Sequence, residues 1–404
     1  IPLRRLRPMG IRERCRRAYI MEQSTYAQSA SQLAKTSLHF HSPPDLSVVP
    51  ARDATALAAD AVGSPVAWTE RTLAAFDAFG LPRELLRKQS LQPRPRSLVR
   101  RSSAELALML EEAAKSGVAP RRLLVGEPGC GKSTYLMQIL AYALESNWAV
   151  IYVPRAIDLV NSSTPYSFNA VQGTYLQPEA ANALLTAILK VNERVLKRVS
   201  GDAVVIDGRE LFAAQTSLEM VLTHPRAEGY APAERQLVLE DVLKTLAQQK
   251  DVPVLVAIDD AQALFGTTRY FDPDFVPLES YELAIPRALL GLVRAKDDGV
   301  QRGAVLTALS LSHSEFPSSP ELLVALRESS DVVPWERVIS TLQSPTSATR
   351  VREPHAYTPM RDTHVAHARA ARLVPLDVGA RLERVEAASL LSLMHRERLI
   401  WTST

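Results

Sequence analysis

The chain has 404 residues, more than one hydrophobic core usually holds, which implies one large or two modest domains. Hydrophobic residues make up 46% and charged residues 23%, which excludes a largely disordered chain. No apolar run reaches the roughly 18 residues of a membrane-spanning helix, and the two cysteines, Cys15 and Cys130, cannot form a disulfide framework or a zinc site. That cysteine usage fits a reducing compartment. The net charge is +3, yet only 9 of the 47 basic residues are lysine, leaving 38 arginines. Arginine's planar fork binds phosphate bidentately and stacks on bases, so the excess fits contact with nucleic acid. The codon bias of a GC-rich genome, which also enriches alanine, would give the same excess.

Residues 1–20, IPLRRLRPMGIRERCRRAYI, hold seven arginines against one acid, Glu13. Such a start is either a retained basic arm reaching toward RNA or the remnant of an organelle-targeting peptide, and the reading here is the arm. Residues 1–69 as a whole read as a basic, loosely ordered extension. From Arg83 to Arg101 a second basic stretch carries seven Lys or Arg against Glu84, and is either a solvated surface or another RNA contact.

Regular structure is expected from residue 104. Ala104–Ser116 has helical spacing, Arg122–Val125 is a short apolar strand, and Gly126–Gly131 is a glycine turn leading into a helix over 132–144. Ala149–Val153 has the look of a strand buried in a parallel sheet, as have Val204–Ile206, Val254–Ile258 and Val305–Leu309. Helical stretches lie near 179–199, 233–249 and 285–295. Strands alternating with helices predict an α/β fold, a mostly parallel sheet covered on both faces, over residues 70–335. Residues 336–404 are expected to hold an irregular Ser/Thr/Pro/His-rich connection (340–375) and a small C-terminal helical subdomain (379–400).

The strongest motif is Gly126-Glu127-Pro128-Gly129-Cys130-Gly131-Lys132-Ser133, the G-x-x-x-x-G-K-[ST] spacing between a predicted strand and a predicted helix. Glycines let the backbone turn tightly with its N–H groups inward, and the helix N-terminus adds a partial positive charge, so the loop cradles phosphates. Lys132 reaches the β- and γ-phosphates, Ser133 ligates Mg²⁺, and Thr134 completes the phosphate-binding set. The metal needs an acid at a neighbouring strand end. Asp259, after Val254–Ile258, is preferred to Asp207, after the shorter Val204–Ile206. Asp260 takes the place of a residue that orients attacking water, and Ser310 or Ser312 can sense the γ-phosphate. No arginine is identified by pattern as reaching that phosphate, and no Asn-Lys-x-Asp guanine-reading element occurs.

Several further segments, with the phosphate loop, resemble the death-associated-protein family of mitochondrial ribosomal small-subunit proteins. They are Phe76-Asp77-Ala78-Phe79-Gly80-Leu81-Pro82, Pro95-Arg96-Ser97-Leu98-Val99-Arg100, Asn147-Trp148-Ala149-Val150-Ile151-Tyr152-Val153-Pro154 and Ile258-Asp259-Asp260. The resemblance covers about residues 70–330, and the arginine- and alanine-heavy style is similar to filamentous fungal members. It implies a P-loop NTPase core similar to AAA+ and signal-transduction ATPases, holding a purine nucleotide (GTP/GDP or ATP) with Mg²⁺. It also implies a place in the head of the mitochondrial small ribosomal subunit, in the matrix. There the protein would contact small-subunit rRNA and neighbouring proteins, and reach the large subunit through an intersubunit bridge. A structural protein with a bound nucleotide is the expected function, the alternative being a free cycling switch ATPase or GTPase. No membrane partner is expected.

Overall fold

A computed structural model describes residues 57–396, apart from 58, 83–84, 87–95, 202–203, 207–208, 213–216, 219, 221–231, 296–298, 330–332, 348–350, 352 and 380. Pro50–Leu393 forms one compact unit; the other, Ile1–Val49 with Met394–Thr404, lies almost wholly outside the described residues, as does the expected basic arm.

Five strands build the central sheet: β1 (Arg121–Val125), β2 (Ala149–Val153), β3 (Val254–Ile258), β4 (Gly303–Ala308) and β5 (Val374–Asp377). All pair in parallel, in the order β5-β1-β4-β3-β2. Every residue of β2, β3 and β4 is buried, because a parallel sheet covered on both faces needs apolar side chains on both. Alternate residues feed two apolar layers. Leu124, Val150, Tyr152, Leu255 and Leu306 pack toward α1 (Glu70–Phe79), α2 (Arg101–Ser116) and α3 (Lys132–Glu145). Leu123, Ile151, Val256, Ile258 and Val305 pack toward α4 (Pro178–Leu196), α5 (Pro232–Gln248) and α6 (Ala284–Val293). That second layer also takes in α7 (Pro320–Glu328), α8 (Trp335–Leu342) and α9 (Asp362–Ala371). The last helix, α10, is Arg384–Arg396.

Two expectations need correcting. Val204–Ile206 is not a strand of the parallel sheet: it pairs antiparallel with Arg209–Phe212 in a separate hairpin. Ile206 is in register with Arg209, so the connection is the two-residue Asp-Gly that favours hairpin turns. Nor is 340–375 irregular throughout. It holds the end of α8, all of α9 and the start of β5, which pairs with β1. Pro375 disguises β5 as a loop; it is tolerated because β5 is an edge strand with only one neighbour.

At the opposite edge, β2 is closed by a side chain. Buried Asn192 of α4 accepts from Val150 N at 2.7 Å and donates to Val150 O at 2.8 Å and Ile188 O at 2.9 Å. It stands in for a sixth strand at one residue. Asn192→Leu should therefore destabilise the fold by about 2–4 kcal/mol, since two buried backbone groups lose their partners. Chemical denaturation checks this, and a loss below about 1 kcal/mol would mean that the edge does not depend on the amide.

Candidate functional site

In an open parallel sheet, ligands collect beyond the carboxyl ends of the strands. The 126–131 loop leaves β1 at that end and enters α3. Gly129 (φ 78°) and Gly131 (φ 100°) hold left-handed backbone that other residues adopt only with strain. A Cβ on Gly126 would lie 2.5 Å from Cys130 Sγ and 2.9 Å from Val378 Cγ2, so that position also excludes a side chain. The start of α3 has no side-chain cap and no acid in its first turn, leaving its N-terminal positive end to the loop. Lys132 is buried and turns back over this loop, its Nζ donating to Gly126 O (2.7 Å) and Glu127 O (2.9 Å). Burial lowers its pKa, opposed by nearby Cys130, Asp259 and Asp260.

Asp259 and Asp260 follow β3 and are both buried. The Asp259 carboxylate accepts from Asp260 N at 3.0 Å and shares the cleft wall with Ser133, whose hydroxyl works to lower the Asp259 pKa. Burial first, then the charge of Asp260, pushes the Asp259 carboxyl up to about 7. Asp260 sits on left-handed backbone (φ 56°) and shares the cleft wall with Ser310, just past β4, which works to lower its pKa. Its carboxyl is pushed up to about 6, mainly by burial, while Arg155 opposes the rise. Ser310 N in turn donates to Gln262 at 3.0 Å. A cleft of about 670 Å³ collects these groups, with Pro128, Gly129, Gly131, Thr134, Ser312 and His313 also on its wall.

The expected residues therefore converge: the loop from β1, both acids from β3 and Ser310 from β4 meet in one place. Glu127 and Cys130 belong to the loop but not to the wall of this cleft. Asp207 lies outside the described residues. Among the described residues, no group of three His, Cys, Asp or Glu side chains forms a metal cage. A cation between Ser133 and Asp259 would have to complete its shell with water or a ligand, as Mg²⁺ does.

The family model described as mitochondrial ribosomal death-associated protein 3 matches residues 97–404. The chain belongs to that family. Three proteins named small ribosomal subunit protein mS29 are similar to it. The one from Neurospora crassa is 25% identical over 239 residues, 58% of this chain and 50% of the relative. That from Schizosaccharomyces pombe is 27% identical over 291 residues (66% and 59%), and that from Bos taurus 29% over 230 (54% and 55%). The chain thus spans about half to three-fifths of the length of these relatives.

Two arginines at the site escaped the sequence reading. Arg155, just beyond β2, lines the cleft with its Nε 3.9 Å from Asp260 Oδ2, so a cationic group does reach this end of the sheet. Arg100 grips the loop from the other side. It donates to Cys130 O (2.8 Å), stacks 5.0 Å over the Tyr135 ring, and lies 3.4 Å from the buried Glu386 of α10. A charged residue directly after a buried parallel strand was the available signal for Arg155; nothing in sequence pairs Arg100 with Glu386.

The raised carboxyls make stability depend on pH. Between about pH 4 and 7 the folded chain keeps protons that an unfolded aspartate has already released, so ligand-free stability should fall as pH rises through that window. Asp259→Asn, uncharged throughout, should flatten much of that slope. Thermal melts of both proteins across the window, without nucleotide or Mg²⁺, read the difference. An identical slope would place the titrating groups elsewhere.

Proposed function

We propose that this protein is a structural component of the mitochondrial small ribosomal subunit that holds a purine nucleotide with Mg²⁺ at the β1–β3 cleft. Family membership over residues 97–404, together with relatives named as small-subunit proteins, supports the ribosomal reading. The observation that carries the nucleotide reading is that Lys132, Ser133 and Asp259 line one cleft, at the mouth of a glycine loop opening a helix. These groups fit a P-loop nucleotide site of the AAA+ kind. Loop N–H groups and the α3 N-terminus would take the phosphates, and Lys132 would exchange its two loop carbonyls for phosphate oxygens. Ser133 and the ionised Asp259 would hold the cation or its waters, which supplies the positive charge the buried carboxylates lack. No described helix is long and apolar enough to cross a membrane. Contacts with small-subunit rRNA and head proteins, an intersubunit bridge to the large subunit, and a matrix location complete this reading.

Turnover belongs to the second reading, a cycling switch, which the presence of Asp260 and Arg155 in the cleft favours. Against it, Asp260 faces Arg155 at 3.9 Å, and aspartate is shorter than the glutamate more often found orienting water. Such a base is poorly placed to activate one.

Lys132→Ala should abolish nucleotide binding measured at equilibrium; unchanged affinity would remove the phosphate-loop assignment. Ser133→Ala and Asp259→Asn should weaken binding with Mg²⁺ far more than binding in chelator. The protein should co-sediment with small ribosomal subunits. Single-turnover phosphate release should be negligible both free and on purified subunits, and a rate near ~1 s⁻¹, the low end of kinase turnover, would overturn the structural reading.

A further inference from the structure

We propose that Arg155 makes the cleft select nucleoside triphosphates over diphosphates, with Asp260 as the group that holds the arginine between ligands. This rests on the nucleotide reading above and adds to it the phosphate count of the ligand.

Arg155 follows β2, the neighbour of β3, so its side chain enters the cleft from the flank opposite the glycine loop. With its side chain only 23% exposed, it faces three groups: Asp260 at 3.9 Å, Asp158 at 3.6 Å and His313, whose pKa is lowered by burial and then by this same arginine. Neither carboxylate is within 3.5 Å, so the guanidinium is attracted to both without being hydrogen-bonded to either. A planar, five-donor group in a sheltered cleft is thus left with its bidentate capacity unspent on these acids.

Position then decides which phosphate it can meet. In the sheet order the β1 loop with Lys132, then β4, then β3 with Asp260, and last β2 with Arg155 follow one another, so Arg155 stands three strands from the loop and one from Asp260. In a loop of this spacing Lys132 lies against the β- and γ-phosphates. A group at the end of β2 is separated from the loop that wraps the α- and β-phosphates by the ends of β4 and β3. It faces the terminal one. With a triphosphate, Arg155 would leave the two loose carboxylate contacts for phosphate oxygens, and Asp260 would keep Ser310. With a diphosphate nothing draws the arginine away, and it would stay with Asp260.

The test measures equilibrium affinity of the full chain, with Mg²⁺, for fluorescent GTP, GDP, ATP and ADP and for the β,γ-imido triphosphates. Wild type should bind triphosphate more tightly than diphosphate. Arg155→Ala should lower triphosphate affinity about 10- to 100-fold, the range for hydrogen bonds to a charged group, and leave diphosphate affinity within about threefold. Arg155→Lys should restore part of the loss, a point charge replacing the fork. Asp260→Asn should shift affinity the other way, tightening triphosphate binding because the arginine is no longer held. Circular dichroism confirms that each variant is folded, and Arg155→Gln replaces Arg155→Ala if it is not. An unchanged triphosphate-to-diphosphate ratio in Arg155→Ala, or an equal loss for both, overturns this proposal while nucleotide binding stands. If wild type binds neither class, or Lys132→Ala binds like wild type, the nucleotide reading itself falls and takes this proposal with it.

Discussion

Two adjacent aspartates buried at the end of a central parallel strand are the constraint on which the site turns. Asp259 and Asp260 sit where water is scarce, and both carboxyls are pushed up, to about 7 and about 6. Lys132 and Arg155 share the cleft with them, and burial works against the charge of the lysine as it does against those of the acids. A chain that only needed stability would have placed apolar residues here, since a buried charge is stabilising only with full partnership. The burden is local: Asp259 shares the cleft wall with Ser133 of α3, and Asp260 with Ser310 and Arg155. A divalent cation between Ser133 and Asp259, as proposed above, would relieve it most directly.

The glycine loop is also tied to the C-terminal part of the chain. Arg100 bonds the carbonyl of Cys130, covers the ring of Tyr135 in α3, and meets Glu386 of α10. Glu386 is buried and accepts from Arg101 N (3.0 Å) and Glu383 N (3.0 Å), which fixes the start of α10 against the start of α2. The backbone that would cradle phosphate therefore shares one guanidinium with two helices from distant parts of the sequence.

The sequence was most legible where a residue's neighbours in the chain are also its reasons. β2 and β3 read correctly because five consecutive apolar residues can be buried on both faces of a sheet and nowhere else so simply. Lys132, Ser133 and Asp259 line one cleft, and each could be named from the chain alone: the first two by their spacing from the glycines, the third because two acids end an apolar run. The misreadings have the opposite character. Val204–Ile206 has the composition of a sheet strand, but it pairs antiparallel with the segment that follows it, Arg209–Phe212. β5 was hidden by Pro375 because an edge position excuses a residue that a central strand would reject. The Arg100–Glu386 contact spans 286 positions, a separation no local pattern encodes.

A ligand in this cleft would join more of the fold than its own loop. Phosphates on 126–134 act on β1 and α3, a cation on Asp259 acts on β3, and Ser310 and Arg155 bring in the ends of β4 and β2. Those four strands are adjacent in the sheet, so one small molecule would tie together the carboxyl ends of all but β5. A ligand bound only by the folded state adds RT ln(1 + [L]/Kd), about 2.7 kcal/mol at a hundredfold excess over Kd. Nucleotides are abundant in cells, so that contribution would be present throughout the protein's life without any hydrolysis. Retaining a phosphate-binding cleft is then compatible with a stationary role. The loop, the acids and the arginine would be kept because they hold the strand ends and α10 in one arrangement, and chemistry at the terminal phosphate need not occur for them to matter.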